Sequence, residues 1–409
     1  MERIELPVEK LIFGMYVAEL DRPWVGTPFP FQGFVLRNKW QLETLGKFCQ
    51  RVFVDRERSD ALPEPNFSAP LAARHAPAAE MRRDAWRRTH YVATHETEEE
   101  LPRAERVLED VSNALLDYLN AVRAGEQLDA ERLKGAINEV AASIKRNPDA
   151  MLLLARLHRK GTYELIRALD SSVLMVTFGR FLQLTESELE LLGLAGLLQD
   201  IGKVRLPRTL LGKKAALSEE ERALAQKHVE LSMEIVRSTA GLRNELPDLI
   251  SLHHERYDGS GYPQGLSGQA IGLLGSIAGI VDVYSALTSE RGYAVQESPS
   301  NALGLLHRLR GTEFQDAIVE QFIQCVGIYP VGSVVELNSG EIGIVIAQNR
   351  VRRLQPRVMV ILDAKQNPLQ PQRILDLIKE PKMAPDQPYR IRRTLEASKL
   401  KLDPREFFL

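Results

Sequence analysis

The segment His253-His254-Glu255-Arg256-Tyr257-Asp258-Gly259-Ser260-Gly261-Tyr262-Pro263 sets two adjacent imidazoles directly before two glycines and a proline. Glycine and proline at this density end a helix and impose a structured loop. The preceding residues read as helix over 244–254, so the histidine pair closes a helix and the loop stands beside it. That position makes the loop a candidate surface for a substrate or partner, with an ordinary turn as the alternative.

Outward from this segment the chain reads as helix for more than 200 residues. Val107, Leu108, Val111, Ala114, Leu115, Tyr118 and Leu119 recur at spacings of three and four, the mark of an amphipathic helix. Similar patterns predict helices over 127–145, 149–160, 163–183, 186–199, 219–239, 270–289, 299–309 and 313–325. Ser218 with Glu221 forms a candidate capping box for the 219–239 helix. Upstream, Met15–Leu20, Gly33–Leu36 and Arg51–Val54 read as short strands, with a helix near 41–48. Residues 61–80 carry Pro63, Pro65, Pro70 and Pro77 among Ala and Ser, a composition unable to bury a core. Beyond Tyr329-Pro330, strands are expected at Ser333–Leu337, Ile342–Ala347 and Arg357–Leu362, with a turn at Asn338-Ser339-Gly340. The expected organisation is multidomain α+β: a small mixed N-terminal domain (1–60), a linker (61–100), a central all-α bundle (101–325), a β module (329–380) and a mixed-charge docking arm (381–409).

Composition narrows the function classes. With 53 Lys+Arg against 55 Asp+Glu, the chain is no generally basic nucleic-acid coat. Arg350, Arg352, Arg353 and Arg357 cluster locally and read as a solvated face, so a nucleic-acid partner is not expected. Cys49 and Cys325 form no disulfide framework and fit cytosolic thiols. The longest apolar run, Ala270–Val281, falls short of the roughly 20 residues of a membrane span. The N-terminus lacks a signal-peptide layout, and a cytoplasmic protein is expected.

Candidate ligands concentrate in the helical region. Asp200 lies in Gln199-Asp200-Ile201-Gly202-Lys203 at the end of an apolar helix, and His228 falls within another. Asp282 sits among Ile277, Ile280, Val281 and Val283, where an acid is costly to bury unless paired or metal-bound. Four helices therefore each present one or two N/O ligands, as helix-bundle metal sites do. Imidazole and carboxylate suit Fe, Mn or Zn, and an Asp bridging two metals is a usual route to phosphodiester hydrolysis. Spacing alone leaves a set of unrelated buried polar residues as an equal alternative. Gly196–Lys203 is no P-loop: it has one residue too many, and Val204 stands where Ser or Thr is required.

These motifs resemble the HD-GYP family, bacterial metal-dependent phosphodiesterases that hydrolyse cyclic di-GMP. The resemblance rests on the complete His253–Pro263 string, Asp200–Lys203, His228 and the DVYxALTSxRxY string at Asp282–Tyr293, and covers about 150–325. It implies that the central bundle is of HD type. Residues 1–60, with Gly14-Met15-Tyr16-Val17 and Asp21-Arg22-Pro23-Trp24, resemble a domain of unknown function often joined to the family.

The departures matter as much. The name-giving His-Asp pair is Gln199-Asp200, and the place of an earlier ligand His, counted back from Phe178-Gly179-Arg180, falls on Arg167. Tyr163 and Ser285 stand where family members carry acids. The resemblance then implies that one metal keeps only Asp200 and Asp282, while the other keeps Asp200, His228 and one or both of His253 and His254. A guanidinium cannot ligate a metal, but its fork can pair with Asp200 or Asp282 in a cation's stead. The expectation is a degenerate member holding at most one divalent ion (Fe, Mn or Zn), with Asp200 and Lys203 as its remaining catalytic groups. Lys203, Arg291, Tyr262 and the loop carrying Asp258, Gly259, Gly261 and Pro263 remain to contact cyclic di-GMP or a partner such as a diguanylate cyclase domain. A slow one-metal phosphodiesterase yielding pGpG or GMP, and an inert dimerisation scaffold, are the alternatives.

Overall fold

The computed structural model describes residues 3–21, 34–36, 39–55, 59, 89, 91–126, 128, 130–157, 161–213, 215–289, 297–349 and 352–395. Of the linker expected at 61–100, residues 61–88 and 90 lie outside these, as do Arg291 and Arg350, whereas 97–100 are corrected to the first turn of a helix. The chain forms two compact units, Met1–Trp86 and Arg87–Leu409.

In the first unit, β1 (Arg3–Pro7), β2 (Tyr16–Leu20), β3 (Phe34–Val35) and β4 (Arg51–Asp55) form an antiparallel sheet in the order β1-β4-β2-β3. Helix α1 (Lys39–Phe48) contributes Leu45 to a core with Leu11, Met15, Val17, Val52 and Val54. The sequence reading omits β1, because Arg3, Glu5 and Pro7 leave only Ile4 and Leu6 to show apolar alternation.

In the second unit the helices are α2 (Thr97–Ala124), α3 (Glu131–Arg146), α4 (Pro148–Leu157), α5 (Tyr163–Phe181) and α6 (Glu186–Leu198). They continue with α7 (Arg208–Leu211), α8 (Glu219–Gln226), α9 (His228–Arg237), α10 (Leu246–Ile250), α11 (Gly272–Thr288), α12 (Pro299–Leu309) and α13 (Asp316–Val326). Ser218 and Glu221 form the capping box of α8. Helices α5 and α6 run through the centre and are buried on nearly all sides, so neither shows a polar face. Their close approach needs Gly196, where a Cβ would collide with the backbone of Ser172.

Helix α11 corrects one expectation. The stretch Gly268–Thr288 reaches a mean hydropathy of 1.7 and is long and apolar enough to cross a membrane. Its apolarity has a local cause: Ile277, Ile280, Val281 and Tyr284 are buried in the helical core.

The β module is a five-stranded antiparallel sheet in the order β11-β5-β6-β7-β8, made of β5 (Val334–Leu337), β6 (Ile342–Ala347), β7 (Arg357–Leu362), β8 (Pro368–Asp376) and β11 (Ile391–Leu395). A small ribbon of β9 (Lys382–Ala384) and β10 (Gln387–Pro388) precedes β11. Strands β5 and β6 are buried along their whole length because both faces are covered. On one side they meet Leu153 and Leu157 of α4, and on the other Leu375 and Leu377. Two-sided burial explains their continuous apolar runs. The 381–409 arm is thereby corrected for residues 382–395: β11 pairs with β5, and its Arg392 and Arg393 both bind Glu336. Mixed charge there is the signature of an edge strand rather than of a free arm. Arg357, read as part of a solvated basic face, instead reaches Glu96 and Glu98 at the start of α2.

Candidate metal centre

Helix α6 ends at Leu198 with Gln199 as its cap, and Asp200 opens a 3-10 turn over Ile201–Arg205. Ser232 of α9 pins this turn, donating its hydroxyl to Gln199 O (2.9 Å) and accepting Gly202 N–H (2.8 Å). Gly202 is required here, since a Cβ would strike the His228 carbonyl. The stretch 219–239, read as one helix, breaks at Lys227, so His228 is the first residue of α9 rather than an interior one. Helix α10 likewise stops at Ile250, and His253 and His254 occupy the turn that follows. The turn is why adjacent histidines, which a helix would splay by about 100°, bring their rings to 4.0 Å between centroids.

Asp200, His228, His253 and His254 offer ligand atoms that all lie within 4.8 Å of one another. His228 Nδ1 donates to Ala225 O (2.7 Å) and His253 Nδ1 to Ile250 O (2.6 Å). A carbonyl accepts only, so each Nδ1 carries a proton, and in a neutral ring each Nε2 then turns its lone pair inward. The two Nε2 atoms lie 3.4 Å apart, and Asp200 Oδ1 lies 3.2 Å and 3.9 Å from them. Three electron pairs thus converge on one point. A tetrahedral ion with bonds of about 2.0–2.1 Å spaces its donors about 3.3 Å apart. Asp200 Oδ1 and Gln199 Oε1 are also buried without a properly directed hydrogen-bond donor. The donor set fits one divalent ion.

The other half of the centre is organised differently. Arg167 on α5 sends Nη2 to Asp282 Oδ1, while its Nη1 lies 3.4 Å from Asp200 Oδ2. Gln199 Nε2 donates to the same Asp282 oxygen at 3.2 Å. Asp282, read from the sequence among the metal ligands, is therefore engaged by a guanidinium and an amide and lies outside the four-residue cluster. Burial disfavours a charged Arg167, but the Asp282 and Asp200 carboxylates outweigh it and hold its pKa above the ordinary value. Burial would raise the Asp200 pKa, yet the cations of Lys203 and Arg167 keep it well below the ordinary carboxylate value. Lys203 Nζ lies 2.8 Å from Asp200 Oδ1.

The loop after the histidine pair closes back on the site. Buried Glu255 accepts from Gln264 N–H (2.7 Å) and Leu266 N–H (2.8 Å), and Tyr262 stacks on His254 at 4.6 Å. Gly261 passes so close to the Glu255–Arg256 backbone that a side chain has no room. Asp258 and Pro263 form the exposed rim, with Gly259 half-buried beside them.

Comparison with known proteins agrees with this architecture. The chain matches an HD domain over residues 147–318, a domain of unknown function (DUF3391) over 3–133 and a KOW domain associated with HD domain over 334–384. It is 32% identical to cyclic di-GMP phosphodiesterase PA4108 of Pseudomonas aeruginosa, over 91% of this chain and 88% of that one. The chain belongs to the HD-GYP type of HD-domain protein. A second relative, the cyclic di-GMP phosphodiesterase response regulator RpfG of Xanthomonas campestris, is 31% identical over 47% of this chain and 51% of its own. The structure of Bd1817, a HDG"Y"P protein from Bdellovibrio bacteriovorus, covers 78% of this chain and 98% of that one with a TM-score of 0.45 and 14% identity. That likeness is too loose to add to the family assignment.

In this HD-GYP chain a further polar group escapes the sequence reading. Buried Asp170 on α5 is paired with Arg156 (3.3 Å) and lies 3.5 Å from the Ser285 hydroxyl. Arg156 also donates to Thr288 and lies over the Tyr284 ring. The signal was present: Asp170 is an acid inside an apolar helix, the pattern that singled out Asp282.

The histidines make stability depend on pH. Burial is the main cause that holds the His253 pKa near 4 instead of 6.5, and the nearby Asp282 and Asp200 do not offset it. Between these values the unfolded chain binds a proton that the folded chain refuses, so stability is complete above about pH 6.5 and falls toward pH 4. The expected loss is about 2 kcal/mol at pH 5 relative to pH 7, from 1.36 kcal/mol per pH unit. His254, also held well below 6.5, adds in the same direction. Urea unfolding of metal-free protein at the two pH values measures this; equal midpoints would contradict a neutral buried His253.

Proposed function

We propose that this chain is a cyclic di-GMP receptor built on an HD-GYP scaffold, with one divalent metal at most and hydrolysis lost or slow. The observation that carries this reading is the Arg167 guanidinium lying between Asp200 and Asp282. That is where the family resemblance calls for a metal ligand. Two-metal hydrolysis needs one ion to activate the attacking water and another to stabilise the leaving oxygen. With half of that clamp replaced by a guanidinium, binding survives better than turnover.

The residues for one ion are Asp200, His228, His253 and His254, a donor set suited to Fe, Mn or Zn. Such an ion, when bound, supplies Lewis-acid stabilisation of a phosphoryl oxygen. Lys203, only partly exposed, supplies a cation for a phosphodiester. Tyr262, stacked on His254, supplies an aromatic ring beside the cluster. The assignment of cyclic di-GMP rests on the activities named for the relatives. The exposed rim at Asp258 and Pro263 is the surface offered to a protein partner, with a diguanylate cyclase domain as the partner to test.

Calorimetry with cyclic di-GMP, elemental analysis and a turnover assay with Fe or Mn test the reading together. The expected result is saturable binding, about one metal per chain in the cyclic di-GMP complex, and turnover at least about 100-fold below a two-metal relative, the scale of losing one transition-state contact. Turnover equal to such a relative would refute it. A slow one-metal phosphodiesterase is the second reading, favoured by the convergent lone pairs of His228, His253 and Asp200. It requires metal-dependent pGpG formation that disappears in His228→Ala.

A further inference from the structure

The charges around Asp200 already balance with no metal counted. Asp200 and Asp282 supply two negative charges, and Arg167 and Lys203 supply two positive ones at hydrogen-bonding or ion-pairing distance. Glu255, the nearest other buried carboxylate in the loop, is committed to two backbone N–H groups. Beside the one shared carboxylate of Asp200, the donor triangle holds only the imidazoles of His228 and His253.

A divalent ion entering this triangle meets two obstacles. Its oxygen ligand, Asp200 Oδ1, is the atom that Lys203 Nζ contacts at 2.8 Å. Arg167 remains on the other oxygen of the same carboxylate, at 3.4 Å. The ion therefore adds two positive charges to a buried, balanced group, beside a guanidinium that burial among helices keeps in place. Like charges in a poorly screened interior repel strongly, so the ion binds weakly by itself. Lys203 is the movable member, with about a quarter of its side chain exposed.

We propose that this centre loads metal and anion together: a divalent ion binds tightly only when a phosphate group enters with it to take up the surplus positive charge. The inference rests on the one-metal reading above and adds a coupling to it. Linkage makes the coupling reciprocal, so the ion strengthens phosphate binding by the same factor. A centre built this way stays metal-poor until its phosphodiester ligand arrives.

Equilibrium dialysis of the full chain against manganese, with and without millimolar inorganic phosphate, tests the coupling through protein-bound metal rather than activity. The expected result is manganese affinity about 10–100-fold tighter with phosphate, the usual range of coupling between sites. Lys203→Met removes one positive charge from a partly exposed position. It is expected to tighten manganese binding without phosphate and shrink the phosphate effect. Equal manganese affinity in both buffers overturns the coupling but leaves the one-metal reading standing. Absence of bound manganese in both buffers overturns the coupling and the single ion, and cyclic di-GMP calorimetry then decides whether the receptor reading stands. A phosphate effect of full size in Lys203→Met also overturns the coupling, since its source would then lie elsewhere.

Discussion

Replacing Arg167 by methionine is expected to destabilise the chelator-treated protein by about 3–5 kcal/mol, the scale of stripping one partner from a buried ion pair. Methionine fills much of the same space, so the loss is electrostatic rather than a cavity effect. Asp200 and Asp282 are left facing each other across the core without their shared cation. Burial then drives one of them to take a proton or to seek another cation. A divalent ion is that cation, and manganese is expected to restore most of the lost stability in the variant while adding less to the parent. Denaturant unfolding of both proteins, in chelator and in manganese, gives the four numbers needed. A loss below about 1 kcal/mol, or one that manganese does not recover, would mean Arg167 is no substitute for a metal.

The second large effect concerns ligands rather than stability. Arg167→His with Gln199→His removes the guanidinium and places two imidazoles beside Asp200 and Asp282. With cyclic di-GMP present, metal content is expected to rise from about one to about two ions per chain. Cyclic di-GMP turnover is expected to rise by about 10²–10³-fold, the contribution typical of one well-placed electrostatic element. Both substitutions are needed, because either alone leaves the second site a ligand short. Unchanged metal content in a folded double variant would mean that these two positions do not govern metal number.

Much of the architecture was legible because local pattern and tertiary context agree. Strands Ile342–Ala347 and Arg357–Leu362 begin and end where their apolar runs do. The helices of the central bundle follow the three-four periodicity to within a few residues at most ends. The elements that escaped have local patterns that point elsewhere. Pro368 and Pro371 demote β8, and the charges of Ile391–Leu395 hide β11, yet both are edge strands where such residues are tolerated.

The same division runs through the centre. The sequence by itself determined which residue types are present: three histidines and two acids in recognisable motifs, with Arg167 and Gln199 where imidazoles were expected. Side-chain chemistry alone says that a guanidinium cannot ligate a metal and that a buried acid needs a partner. Only the tertiary structure decided the pairing. It turned His253 and His254 out of helical geometry so that their rings adjoin, and it fixed the His228 and His253 tautomers through carbonyls on their own turns. It also set Arg167 on both Asp200 and Asp282, although these residues are far apart in sequence. Packing of α5, α6 and α11 creates that encounter, and no local periodicity encodes which charged groups from three helices will share one buried point.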